Sequence, residues 1–514
     1  MGLSVKHLCA VVVGFVLIWC SSIPLGVPGE WTWSRSPIAD DFWFSLIPAV
    51  GWGVIAGLLV WFGCGRIESC SHWERTAWLS GLFLASFGLL SGLREAAPPE
   101  FRSAKVAWVL YYQGSSGYFT EARKIRDTRE FLSHYEQEVQ KGDVLHQGTH
   151  PPGLILGYRG LMWACGRLEW LRRGLLATQP EDLREAFKII GQASLRTATP
   201  LTEQDRCVLW LAALLMQACA AATVIPLYGL LRLHCTRVTS WLLASFWPLV
   251  PAVTVFSPKS DTCFPFVGCL VLALWLHGLS KSSRLSCLAA GMVFWLGMML
   301  SLVMLPVACL AGLLTAWSVW GRVRDERLGG ATASDNRAAI GRFFRMLPFA
   351  GIGFVLPAAL FGIATDCNLV TVWGWNYQNH AGFYARYPRT YWKWLLVNPL
   401  ELSFAVGLPL MVLALSGWRH YWNNARGAAS GPFWMSLLTW SLLWLTGKNM
   451  GEAARLWLFL MPWIIWSAAS GWQAANGVNH DVYATRRRWL FCWICQFLAA
   501  LTVITRIAGF HAHG

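Results

Sequence analysis

Asp143, His146 and His150 stand three and four residues apart and run directly into Pro151-Pro152-Gly153. Each proline fixes its own φ and pushes the residue before it out of the α region, so the His150 imidazole is expected at a rigid loop-to-helix junction. A carboxylate and two imidazoles at this spacing suit proton transfer, hydrogen bonding to an anion or, on an unbroken helix, metal ligation. Gly148 and the proline pair interrupt such a helix, so no residue is assigned as a metal ligand, and a divalent metal cofactor stays open. Taking a proton from a hydroxyl needs a carboxylate, for which Glu30, Asp40, Asp41, Glu121, Asp143 and Asp261 are placed. Asp261 opens an apolar run just behind Ser257-Pro258-Lys259-Ser260. Residues 373–391 read WGWNYQNHAGFYARYPRTY. They offer aromatic faces for a sugar ring, polar groups at Asn376, Asn379, His380 and Tyr384, and guanidiniums at Arg386 and Arg389 for a phosphate. Lys448, Glu452 and Arg455 fall on one face if helical, either as a plain ion pair or as a phosphate clamp oriented by Glu452. Glu401 lies two turns into an apolar run, a costly place for a carboxylate, and is expected to pair with Arg389 or Lys393.

These loops need a scaffold, and the rest of the chain is apolar. Hydrophobic residues make up 55% and charged residues 13% of the 514 positions, more grease than a soluble core can use. Apolar runs of about 20 residues argue for an all-α polytopic membrane protein. They fall at 42–65, 76–93, 207–231, 238–258, 262–280, 285–321, 346–365, 394–418, 427–447, 456–479 and 490–505. The run 285–321 is long enough for two spans turning near 299–304, and the whole suggests about 13 transmembrane helices. An N-terminal run at 8–18 behind Lys6 reads as a signal peptide or an uncleaved anchor. Trp31, Trp33, Trp392, Trp394, Trp418 and Trp422 sit near run ends, as in interfacial aromatic belts. The net charge of +15 gathers in short loops between runs, which is a topology signal, and no nucleic acid partner is expected. The 15 cysteines, Cys492 and Cys495 among them, lie mostly inside apolar runs and read as inert thiols.

Basic loops at 232–237, 281–284, 322–345, 419–426 and 486–488 are assigned to the cytoplasm, which places 30–41, 94–150, 257–261, 366–393 and 448–455 outside. The chain then divides into N-terminal spans (1–93), an outer loop with an amphipathic helix and the His-Pro-Pro step (94–152), and central membrane helices (153–321). A flexible cytoplasmic linker (322–345) and C-terminal membrane helices with an outer loop at 366–393 (346–514) complete it. An odd number of crossings must separate residue 150 from residue 232, so the short run 153–165, which carries Arg159, is read as lying along the outer leaflet. Arg167, Arg172 and Arg173 argue the other way. Residues 117–141 are apolar at Tyr118, Ala122, Ile125, Leu132, Tyr135 and Val139. They are expected as one amphipathic juxtamembrane helix, with Tyr118, Ile125 and Leu132 toward lipid.

Three motifs occur in order and are separated by spans: Gly117-Tyr-Phe-Thr-Glu121-Ala-Arg-Lys-Ile, Thr149-His-Pro-Pro-Gly153 and Pro258-x-x-Asp261. Together they resemble the GT-C superfamily of membrane glycosyltransferases, which includes protein O-mannosyltransferases and lipid A aminoarabinose transferases. The motifs cover residues 91–280, and the remainder matches in general architecture. Gln113-Gly-Ser-Ser-Gly117 stands where that superfamily has an Asp or Asp-Glu pair, and more than one apolar run precedes the large loop. The resemblance implies transfer of a sugar from a polyprenyl-phosphate donor to a lipid, glycan or protein acceptor on the extracytoplasmic side of the plasma (inner) membrane. Its partners would be that lipid-linked sugar, the acceptor and membrane lipids. Glu121 is the leading base, with Asp143 and Asp261 as rivals or metal partners. His146, His150 and the polar residues of 376–389 and 448–455 would bind substrate. The alternative is a transporter or flippase, which would show paired broken helices and a two-sided cavity. On the transferase reading, Glu121, His150 and Asp261 should line one cavity, bordered by Arg386 or Arg389 and by Lys448 or Arg455.

Overall fold

An apolar stretch crossing a bilayer finds no water for its backbone groups and must satisfy them internally, so helices dominate this chain. The computed structural model describes residues 3–195, 199–327, 333–424, 431–476 and 482–510. Among them six helices are long and apolar enough to cross a membrane: Phe42–Arg66, His72–Glu95, Glu203–Leu231, Ser260–Lys281, Ile340–Thr365 and Val482–Ile504. The pair Tyr391–Val406 and Leu408–Arg419, bent by 111°, makes a seventh if it is one span. The protein is therefore a multi-pass, helical membrane protein, with a small antiparallel hairpin of Leu25–Val27 and Trp31–Trp33 on one face.

By this measure the count falls short of 13 because several apolar runs are broken. The run 238–258 folds as Arg237–Ala244, Trp247–Leu249 and Pro251–Phe256, where Pro248 and Pro251 withdraw backbone donors. The run 285–321 turns between Arg284–Leu300 and Met304–Arg327. At the sharp bend Gly407 takes φ +98°, and a Cβ there would lie 2.2 Å from the Gln496 side-chain nitrogen. Gln496, fully buried on Val482–Ile504, donates to the carbonyls of Val406 (2.8 Å) and Leu249 (3.0 Å) and accepts from the Leu410 amide (3.1 Å). One side chain thus satisfies a carbonyl and an amide on either side of this break, and the Leu249 carbonyl of the broken run 238–258 as well.

The loops at 94–150, 257–261, 366–393 and 448–455 gather on one face. Lys105 Nζ donates to the Thr254 carbonyl at 3.0 Å, Arg389 Nη1 to the Glu30 carbonyl at 2.6 Å, and the Met450 amide to the Tyr384 hydroxyl at 2.7 Å. Basic connections meet at the opposite face, where Arg237 donates to the Glu68 carbonyl at 2.7 Å and Arg342 to the Ser280 carbonyl at 3.5 Å. The helix Gly153–Arg167 runs across the loop-rich face: Gly153 packs on the Met299 backbone, and Gln204, opening Glu203–Ala222, donates to the Met162 carbonyl at 2.8 Å.

One expectation is corrected. Residues 117–141 form three short helices, Tyr118–Lys124, Thr128–Ser133 and Tyr135–Gln140, because Asp127 restarts the helix by accepting the Arg129 and Glu130 amides. Tyr118, Ile125 and Leu132 do not face lipid but are buried in a core shared with Ile155, Tyr158, Phe187 and Val208. An apolar stripe is satisfied by whichever apolar partner reaches it, and here the neighbouring helices do. The segment 322–345 is largely helical, divided between Met304–Arg327 and Ala333–Thr365, with Arg and Glu favouring helix at its start. Residues 328–332 of that expected linker, with Gly329 and Gly330, lie outside the described residues.

Candidate functional site

The His-Pro-Pro loop is built by its carbonyls. Pro151 and Pro152 bring no N–H, so the carbonyls before them depend on side chains from elsewhere. The His150 carbonyl accepts from the Tyr135 hydroxyl (2.9 Å) and Asn376 Nδ2 (3.2 Å). The Gly148 carbonyl accepts from Asn376 Nδ2 and Asn379 Nδ2, both at 2.8 Å. Gly148 itself has no room for a Cβ, which would lie 2.1 Å from the Asp143 carbonyl oxygen. Asp143 caps the loop by accepting the amides of Leu145, His146 and Gln147 at 2.9, 3.1 and 2.8 Å. Burial works to raise its pKa, but those amides outweigh it and hold the carboxyl below its usual range.

Both imidazoles are neutral at physiological pH. His146 Nε2 bonds the Ser115 carbonyl at 2.9 Å, and burial, Lys259 and His150 push its pKa down to about 3. His150 Nδ1 bonds the His146 carbonyl at 3.1 Å, and its pKa falls to about 4 through burial, against the pull of Asp261. The Tyr118 ring stands edge-on to both, with centroids 6.1 and 5.5 Å away.

Beside this loop opens a chamber of about 950 Å³ walled by Trp31, Trp33, Trp108 and Tyr112 and carrying Lys259, Glu452 and Arg455. Arg455 Nη2 donates to Glu452 at 2.7 Å, leaving its Nε buried without a partner. Lys259 Nζ donates to the same Ser115 carbonyl that His146 uses. Burial and the Arg455 charge lower its pKa to about 7, against Asp261 and Glu452. Asp261 does not line the chamber, but its charge acts on Tyr118, His150, Lys259 and Arg455, which places it near both cations. Among the described residues its carboxylate has no hydrogen-bond or ion-pair partner, unlike those of Asp143 and Glu121.

The remaining residues singled out in the sequence lie as follows. Glu121 does not line the chamber; it pairs with Lys124 (2.6 Å) and accepts from Gln113 (3.3 Å). His380, in Leu369–Arg386, is depressed in pKa by burial and by Lys448, and Lys448 itself lies 5.3 Å from the Tyr377 ring centroid. Arg386 is exposed and reaches the Gly142 carbonyl at 3.3 Å. Arg389 stacks on Trp31. The segment holding Lys448 and Glu452 is a turn, with left-handed Gly447, Asn449 and Gly451, and helix begins only at Ala453–Leu456, so the three residues share no helical face. Glu401 pairs with neither Arg389 nor Lys393, because Glu30 takes both; it accepts instead from Trp33 Nε1 at 3.0 Å and the Ala454 amide at 3.4 Å. Lys259 and the Trp31–Trp33 hairpin are the features that linear motifs did not mark, although Lys259 stands inside the Pro258-x-x-Asp261 step.

The donors do not suit a metal. Asp143, His146 Nε2 and His150 Nδ1 are engaged by backbone groups, and among the described residues no group of three or more His, Cys, Asp or Glu side chains is arranged to hold an ion. A scan against protein-family models finds no match, and a search of curated proteins finds none either.

Proposed function

We propose that the chamber is the transfer site of a GT-C-type glycosyltransferase using a polyprenyl-phosphate-linked sugar, in a membrane domain of about 13 crossings when shorter and broken helices are counted. One observation carries this reading: two cations, Lys259 and Arg455, share an aromatic-walled chamber, and the charge of Asp261, a carboxylate outside the lining with no partner of its own, acts on both. The cations would bind the donor phosphate, and Trp31, Trp33 and Trp108 would stack on sugar faces. Asp261, in preference to Glu121 or Asp143, would take the acceptor hydroxyl proton as that oxygen attacks the anomeric carbon from the face opposite the phosphate. The sugar–phosphate C–O bond then breaks, and Lys259 and Arg455 stabilise the charge on the departing phosphate, the largest electrostatic contribution open to such a site. The active site would face outward, given the basic opposite face.

Transport is the second reading, and a 420 Å³ cavity near His234, Ser280 and Arg342 on the opposite face is what would favour it. That cavity shares no lining residue with the chamber. Proteoliposomes loaded with a labelled lipid-linked sugar pool decide between the two. Arg455→Ala should lower transfer by on the order of 10²-fold or more, and Asp261→Asn should abolish it. Full transfer by Asp261→Asn, or labelled lipid crossing the bilayer unconsumed, overturns the proposal.

A further inference from the structure

A second cavity, of about 280 Å³, lies against the chamber, and Trp33 and Phe256 line both, their ring centroids 5.3 Å apart. Its wall is apolar except for Glu401, and no lysine, arginine or histidine lines it. Glu401 is 8% exposed; Oε1 accepts from Trp33 and Ala454, whereas Oε2 is buried with no hydrogen-bond partner. A buried carboxyl oxygen left unpaired is costly, so it marks a place where a donor or acceptor belongs. Water is a poor candidate, because an ordered water needs two to four polar partners and this wall supplies one. The mouth is bordered by Ile23 and Leu400, 59% and 62% exposed, the latter on the apolar helix Tyr391–Val406, so the cavity opens toward hydrocarbon.

We propose that this cavity binds a hydroxyl-bearing lipid, its hydroxyl on Glu401 Oε2 and its chain leaving between Ile23 and Leu400. A phosphate or carboxylate head is excluded by the lack of a cation and by the carboxyl itself. An amine suits only an ionised Glu401 and an ester carbonyl only a protonated one, whereas a hydroxyl both donates and accepts and fits either state. The volume is near the lower end for ligand pockets, about 300 Å³. That is enough for a hydroxyl end whose remaining chain lies in the bilayer. The site stands apart from sugar transfer, although on that reading a hydroxyl lipid has the chemistry of an acceptor.

The probe is a long-chain primary alcohol carrying a mid-chain diazirine, photolysed with the full-length protein in nanodiscs and mapped by mass spectrometry. Label is expected on the peptides holding Val255, Phe404 and Val503, displaced by the unlabelled alcohol but not by the alkane or alkyl phosphate of the same length. Glu401→Leu should cut labelling by on the order of tenfold. Ala405→Phe, which fills the cavity and keeps the Glu401 bonds to Trp33 and Ala454, should cut it as far; melting curves confirm that both variants fold. Label spread over the lipid-facing surface, equal competition by alkane, or undiminished labelling in the folded Ala405→Phe protein overturns the proposal. Arg455→Ala should lose transfer and label normally, so transfer retained by Arg455→Ala strikes the transferase reading alone, whereas labelling undiminished in the folded Ala405→Phe protein strikes only this one.

Discussion

Lys259 is the residue whose protonation the chamber controls most closely. Burial and the neighbouring Arg455 charge bring its pKa to about 7, so the cationic form prevails below that pH and the neutral amine above it. A phosphate is held by the cation. Affinity for a long-chain alkyl phosphate should therefore weaken as pH rises through about 7, and Lys259→Arg, whose guanidinium stays charged, should flatten the profile. The histidines do not confuse the reading, since His146 and His150 hold no proton until about pH 3 and 4. Titration calorimetry at pH values on either side of 7 checks this, and superimposable profiles for the two proteins would refute it.

At the scale of elements, two devices hold the site in shape. The hairpin that presents Trp31 and Trp33 is pinned by Glu30, which accepts from the Thr390 amide (2.9 Å), the Thr390 hydroxyl (2.6 Å) and Trp394 Nε1 (2.7 Å) and lies 3.5 Å from Lys393. Burial opposes ionisation there, but the Thr390 and Trp394 hydrogen bonds and the Lys393 charge bring its pKa down to about 2. The broken pair Tyr391–Val406 and Leu408–Arg419 depends on Gln496 and Gly407. Gln496→Leu leaves three backbone groups without their side-chain partner, at about 1–3 kcal/mol for each that stays unsatisfied. Gly407→Ala forces a positive φ on a side chain that also meets Gln496, at more than about 1 kcal/mol. Both proteins should melt below the wild type in detergent, Gln496→Leu the lower of the two. Melting curves that coincide with the wild type would show that the bend does not need this clamp.

For the whole molecule, the two faces should be chemically distinguishable. With exposed cysteines replaced, single cysteines at Lys141 and Arg386 should react with a membrane-impermeant maleimide from one side, and those at Glu68 and Lys281 only from the other. Labelling of Lys141 and Lys281 from the same side would break the two-face arrangement. By itself the sequence determined the membrane class, most apolar helices and the turn between Leu300 and Met304, because hydrophobic length and period are local properties of the chain. The His-Pro-Pro junction was legible for the same reason, since proline restricts its neighbour wherever the chain goes. Only the tertiary structure decided that the stripe at Tyr118, Ile125 and Leu132 meets protein and not lipid. It also decided that Glu401 pairs with Trp33 and that Asp261 is left among cations, whereas Glu121 and Asp143 are held by near neighbours in the chain. A partner's identity depends on which distant segments packing brings within about 3 Å, and no period along the chain encodes that distance.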